Sequence, residues 1–199
     1  MMTAVRVPVF VPDVLIADAA VPLPALGQKV SYALEFVETA GEGGPDFTVA
    51  AEAYAMPDDD TYLLLEPAES GPAAGPARYP TVVHGPAWAA KWAAPAPHDG
   101  PASLLGELRA TFASLAPADA RIRGTIMRVA VVTESVDTSD PDALRWRADP
   151  RRRIREVDTS PVDFANGLVK PAFGSVPVHP NPWRHEVGVV VEIEADPPG

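Results

Sequence analysis

Residues 125–136 place Met127, Val129 and Val131 on one face of an extended chain and Ile126, Ala130 and Val132 on the other. A strand that is apolar on both faces must be covered on both, so this segment predicts the centre of a sheet around which the rest of the chain is arranged. With 47% apolar and 22% charged residues in 199, the chain carries enough apolar surface for one domain, and residues 1–199 are read as a single β-rich unit.

Further strands follow from period-two alternation. Val30, Tyr32, Leu34 and Phe36 share one face of residues 30–38, while Ser31, Ala33 and Glu35 share the other. Gly41, Gly43, Gly44 and Pro45 then interrupt the chain before residues 47–56 alternate again, which predicts a hairpin with a long loop. Asp58, Asp59 and Asp60 mark a turn, and residues 61–66 complete a three-strand meander. Val187, Val189, Val191 and Ile193 define a closing strand with one wet face, and residues 5–16 read as extended.

Proline limits the remainder. Eight of the 35 residues in 67–101 are proline, so regular structure there is short, with Tyr79–His84 as an edge strand. Trp88 and Trp92, four apart, fit one side of a helical turn that pins this loop to the core. One amphipathic helix is predicted after Pro101, where Leu104, Leu105, Leu108, Phe112 and Leu115 form a stripe that Pro117 ends. Residues 156–183 are a second irregular, Pro-rich stretch. The expected fold is mainly β with one α-helix (α+β), an antiparallel β-barrel or sandwich carrying long Pro-rich loops at about 67–101 and 156–183.

Several chemistries have no local support. The chain contains no cysteine, which removes disulfides, thiolate metal sites and thiol nucleophiles. It has no phosphate-loop, dinucleotide or nucleophile-elbow motif, and no cofactor is expected. The apolar start is broken by Pro8, Pro12, Asp13, Asp18 and Pro22, unlike a secretory leader, and no apolar run reaches membrane-spanning length. These features, together with a preference for Ala, Pro and Arg (13 Arg, 3 Lys) resembling high-GC bacterial codon usage, suggest an acidic bacterial protein of the cytoplasm, without membrane association.

Two clusters stand out. In a chain of net charge -11, residues 121–155 hold nine Arg against five carboxylates, with Arg145, Arg147, Arg151, Arg152, Arg153 and Arg155 around Trp146. Basic residues interleaved with an aromatic can hold single-stranded nucleic acid, although 27 Asp and Glu repel a polyanion; pairing with carboxylates of the same chain is the simpler reading of an exposed loop. The second cluster is residues 179–185, where His179 and His185 flank Trp183. These imidazoles could join a metal site or act as bases, with Asp163 and Glu186 as carboxylates and His84 or His98 completing the set. Asp58–Asp60 lacks the spacing of a calcium loop and reads as a turn. Ser135, Ser160 and Ser175 are candidates for pairing with a histidine, but spacing selects none of them.

The leading expectation is a non-enzymatic protein-binding or assembly module with a protein partner or self-association. Its contacts would come from loops holding Trp88, Trp92, Trp146 and Trp183 and the Arg run, because Trp and Arg dominate binding hot spots. Residues 155–164, charged and anchored by Val162 and Phe164, fit the same pattern. The alternatives are a small metal-dependent or His-based hydrolase and a nucleic-acid-binding module.

Overall fold

A computed structural model describes residues 5–38, 48–55, 79–96, 98, 103–139, 147–148, 152–168 and 180–196. It is mainly β, with one short helix. In chain order the strands are β1 (Arg6–Pro12), β2 (Lys29–Glu38), β3 (Thr48–Ala55), β4 (Tyr79–Gly85), β5 (Trp88–Ala94), β6 (Ser103–Thr111), β7 (Arg121–Asp137), β8 (Arg147–Ala148), β9 (Arg153–Val157) and β10 (Trp183–Ala195). The helix α1 (Asp13–Ala17) follows β1 directly, so the extended N-terminal segment ends at Pro12.

Most pairings are antiparallel, but β1–β6 and β2–β5 are parallel, so the sheet is mixed rather than antiparallel throughout. The pairings β1–β10, β10–β7, β7–β2, β2–β6 and β6–β1 run in a circuit. The main core is built on these strands: Val7, Val9, Val11, Tyr32, Leu34, Phe36, Leu108, Ile122, Ile126, Val129, Val131, Val189, Val191 and Ile193 are buried in one cluster.

β7 is central, pairing with β2, β5, β8, β9 and β10. Its two-sided apolar pattern is real, but the faces exchange partway along. Opposite β10 the register shifts between Glu192 and Ile193, which leaves Met127 as an extra residue between Ile126 and Arg128. That bulge moves Ile126 to the same core as Val129 and Val131 and turns Met127 outward, 38% exposed. Ala130 and Val132 face the other way and form a second small cluster with Phe10 and Val190.

The predicted helix over 101–117 is instead strand β6 followed by a 3-10 turn at Ala113–Leu115. Leu104, Gly106, Leu108 and Ala110 take one face, so only part of the leucine stripe is buried and Leu105 and Leu115 lie exposed. Gly106 hides the alternation, and the fold requires it: a Cβ there would run into the Phe36 ring and the Val37 carbonyl of β2. The only α-helix among the described residues is thus α1.

The hairpin predicted for 30–38 and 47–56 does not form. β6 lies between them, pairing antiparallel with both β2 and β3, because two partners with buried faces outcompete a hairpin with a long Gly-rich connection. Residues 56–78, including Asp58–Asp60 and the third strand of that meander, lie outside the described residues. β4 is no edge, since β3 and β5 flank it. Trp88 and Trp92 sit in strand β5, not in a helical turn; spacing by four also falls on one face of a strand, and both indoles are buried. The 145–155 stretch is likewise not wholly loop, since β8 and β9 both pair with β7.

Candidate functional site

The second apolar cluster is where the charged side chains converge. Glu107 and Arg109 lie two apart on β6 and therefore share a face, the one opposite to Leu108 and the core. Phe10 of β1 is the parallel partner of Arg109. Arg152 precedes β9 and Glu134 lies on β7, one register step from the Arg153–Thr133 pair.

Glu107 is 3% exposed, and each of its oxygens is taken by a different guanidinium. Arg109 Nε donates to Oε1 at 2.7 Å and Arg152 Nη1 donates to Oε2 at 2.5 Å. Arg152 Nε donates in turn to Glu134 Oε1 at 2.9 Å. Two guanidiniums and two carboxylates form a chain of no net charge, which is what allows a carboxylate to be buried at this depth. Both guanidiniums also lie over the Phe10 ring, with Cζ 5.7 Å from its centroid for Arg109 and 5.4 Å for Arg152. This contact brings β9, β1 and β6 together, and it needs a bend in β10. The Glu186/Gly188 register shift provides it, at a Gly188 with φ +145 whose missing Cβ would meet the Val11 carbonyl oxygen.

His185 is the register partner of Glu134, so this end of β10 presents its imidazole on the same face. Its ring stacks on Trp183, with centroids 3.9 Å apart and planes inclined by 11°. The indole Nε1 donates to the Asn166 carbonyl at 2.7 Å, and His185 Nδ1 is buried without a hydrogen-bond partner. Glu186 points to the other side. It accepts from Arg155 Nη2 at 2.9 Å and from the Ala165 amide at 2.9 Å, while its own amide donates to the Ala165 carbonyl. Glu186 is thereby occupied in fastening residues 164–166 against β10.

The sequence candidates thus separate into groups. Arg152 and His185 come to the same carboxylate, Glu134, one by a hydrogen bond and the other by strand register. Arg155 sits across the sheet on Glu186, and Arg153 is exposed on β9. Arg147 lies in β8 opposite Asp137. Arg145, Trp146, Arg151, His179 and Ser175 lie outside the described residues. Of the four tryptophans assigned to loops, Trp88 and Trp92 are core residues of β5 and Trp183 opens β10. The Ser160 hydroxyl is buried and donates to the Pro161 carbonyl. Among the described residues no group of three or more His, Asp or Glu is arranged to hold a metal ion.

Phe10, Glu107, Arg109 and Glu134 were not singled out from the sequence. The signal was Glu107-Leu108-Arg109: charges two apart around a leucine mark a strand with a polar face, and a helical reading of the segment conceals it. A second buried polar atom lies on the core side. The Tyr32 hydroxyl has no hydrogen-bond partner, and burial pushes its pKa well above the ordinary phenol value.

The arrangement spends positive charge internally. Besides Arg109, Arg152 and Arg155, Arg128 donates to Glu156 at 3.0 Å and to Glu192 at 3.2 Å. Beside these paired side chains runs β9, with four residues exposed and Val157 half-buried; among the described residues it pairs with β7 alone. No protein-family model matches the chain, and no similar curated protein or solved structure is found.

Proposed function

We propose that the protein is a non-enzymatic binding or assembly module in which the sheet, closing as a small β-barrel, is a rigid scaffold and β9 with its flanking Arg-bearing segment is the contact surface for a protein partner. The observation that carries this reading is the outer edge of β9: among the described residues this five-residue strand pairs with β7 on one side only, with exposed Arg153 and Ile154 beside it. Open strand edges recruit further strands through main-chain hydrogen bonds, with side chains supplying specificity. Internal pairing of Arg109, Arg128, Arg152 and Arg155 speaks for a protein partner over a polyanion, since phosphates would have to displace carboxylates already in place. A cysteine-free chain suits a reducing compartment such as the bacterial cytoplasm.

The test is a native pull-down from the organism that makes the protein, at low and moderate salt, with wild type and an Arg153→Ala/Ile154→Lys variant. Arg152 is left intact because the fold depends on it. A stoichiometric protein retained by wild type at moderate salt and lost with the variant supports the reading. Nucleic acid captured at low salt and released as salt rises, with no protein, overturns it in favour of a nucleic-acid module; an empty wild-type sample overturns it outright.

A further inference from the structure

We infer that residues 164–167 are a releasable strap that guards the stretch of β10 edge left by β1, a device separate from the contact role of β9.

β7 pairs along β10 from Trp183 to Ala195. On the opposite edge β1 covers only Gly188 to Glu194, because the chain leaves the sheet at Pro12 and turns into α1. Ahead of Gly188 the Glu186 backbone faces away from β7, its amide donating to the Ala165 carbonyl at 2.7 Å. Backbone groups along a paired strand turn alternately to its two sides, so Arg184 presents its own to the same side as Glu186. Gly167 lies there, where a Cβ would run into the Arg184 carbonyl oxygen. Residues 165 and 167 thus pass residues 186 and 184 in the order of an antiparallel neighbour. Uncovered strand edges recruit further strands, and covering the edge with a loop is one way to prevent it.

The cover is held unlike a strand. Among the described residues one main-chain hydrogen bond joins it to β10. The Ala165 amide donates to the Glu186 carboxylate at 2.9 Å, and the Trp183 indole donates to the Asn166 carbonyl at 2.7 Å. Gly167, at φ +64, turns the chain out of the extended conformation. Phe164 packs against the main core and anchors the strap, while residues 165–167 are exposed. The other Glu186 oxygen accepts from Arg155, so β9 fixes the carboxylate that holds Ala165. A segment held by two side chains and one backbone bond opens locally far more readily than the β1–β10 ladder, whose seven residue pairs must separate together. Lifting it turns the backbone of Arg184 and Glu186 into a strand-accepting edge.

Gly167→Ala tests this without altering β10, because the clash is relieved only when the strap moves off Arg184. In the full-length protein, hydrogen exchange of the Ala165 and Glu186 amides is expected to accelerate at least about tenfold, with Val189 and Val191 as protected as in wild type. Sedimentation of the same variant should show self-association at least about tenfold tighter than wild type. Trp183→Phe keeps an aromatic ring against His185 and removes the N–H that holds Asn166; it is expected to act in the same direction by about threefold. It carries the test if uniform exchange shows that the alanine variant has lost its fold. Unchanged exchange at Ala165 and Glu186 in both variants overturns the inference. So does faster exchange without tighter association, since the strap would then guard nothing.

Discussion

Arg152 and Glu107 meet at 2.5 Å although their segments are not paired with each other: by way of β2 the pairings β9–β7–β2–β6 cross three strand spacings, and by way of β10 and β1 they cross four. In a flat sheet three spacings already amount to roughly 14 Å. The contact therefore shows that the sheet is strongly curved between these strands, and it ties the Arg-rich segment to the body of the protein through a buried carboxylate.

Two arginines of the same run should behave differently. Arg152→Ala leaves Glu107 buried with one guanidinium, and we expect it to cost about 2 kcal/mol of unfolding free energy. Arg155→Ala loses an ion pair whose guanidinium is 62% exposed, and should cost less than about 1 kcal/mol. Urea denaturation of both variants checks the contrast; equal losses would mean that Arg152 is no more integral than Arg155.

Removing the buried carboxylate should loosen β9 selectively. Glu107→Gln frees Arg152 from β6, and hydrogen exchange at 152–157 is expected to accelerate at least about tenfold while β1 and the core half of β10 remain protected. Uniform acceleration across the sheet would instead indicate global destabilisation.

Tyr32 predicts an alkaline limb. Its ordinary pKa is 10.0 and burial raises it in the folded protein, so above about pH 10 the unfolded chain releases a proton that the folded one retains, and stability falls as pH rises. Below that pH the two states bind the same proton and the group contributes no slope. Tyr32→Phe should flatten this limb and, by removing a buried hydroxyl with no partner, raise stability at neutral pH by about 1 kcal/mol. Denaturant titrations of both proteins at pH 7 and at about pH 11 measure both effects.

Gly188→Ala combines an unfavourable positive φ with a clash against the Val11 backbone, and no side-chain movement can relieve a backbone contact. A loss of about 2 kcal/mol or more is expected, seen as a lower urea midpoint with the same denaturant slope.

The sequence is legible where burial follows a single period. Val30, Tyr32, Leu34 and Phe36 are all buried because β2 has one core face and no bulge along it. β6 misleads because Leu104 and Leu108 satisfy the strand period while Leu105 and Leu115, both exposed, complete an apparent helical stripe. On β7 a single extra residue, Met127, reverses the assignment of faces, and nothing local marks it. The candidate site was half visible: Arg152, Trp183 and His185 stand in conspicuous clusters. Phe10, Glu107 and Glu134 are ordinary residues in ordinary strands until the sheet bends them together across long stretches of chain.

The pairing of β1 with β10 has a consequence for how the protein is made. Arg6 lies opposite Glu194, so the first described strand to be synthesised waits for the last before that side of the sheet is complete. Until then Val7, Val9 and Val11 and the β10 edge of β7 have no cover, and the growing chain passes through a sticky interval as long as translation of nearly the whole domain. Slow, all-at-once completion of the sheet is the natural kinetic signature of such a topology, and holding chaperones would act in that interval rather than on the finished fold.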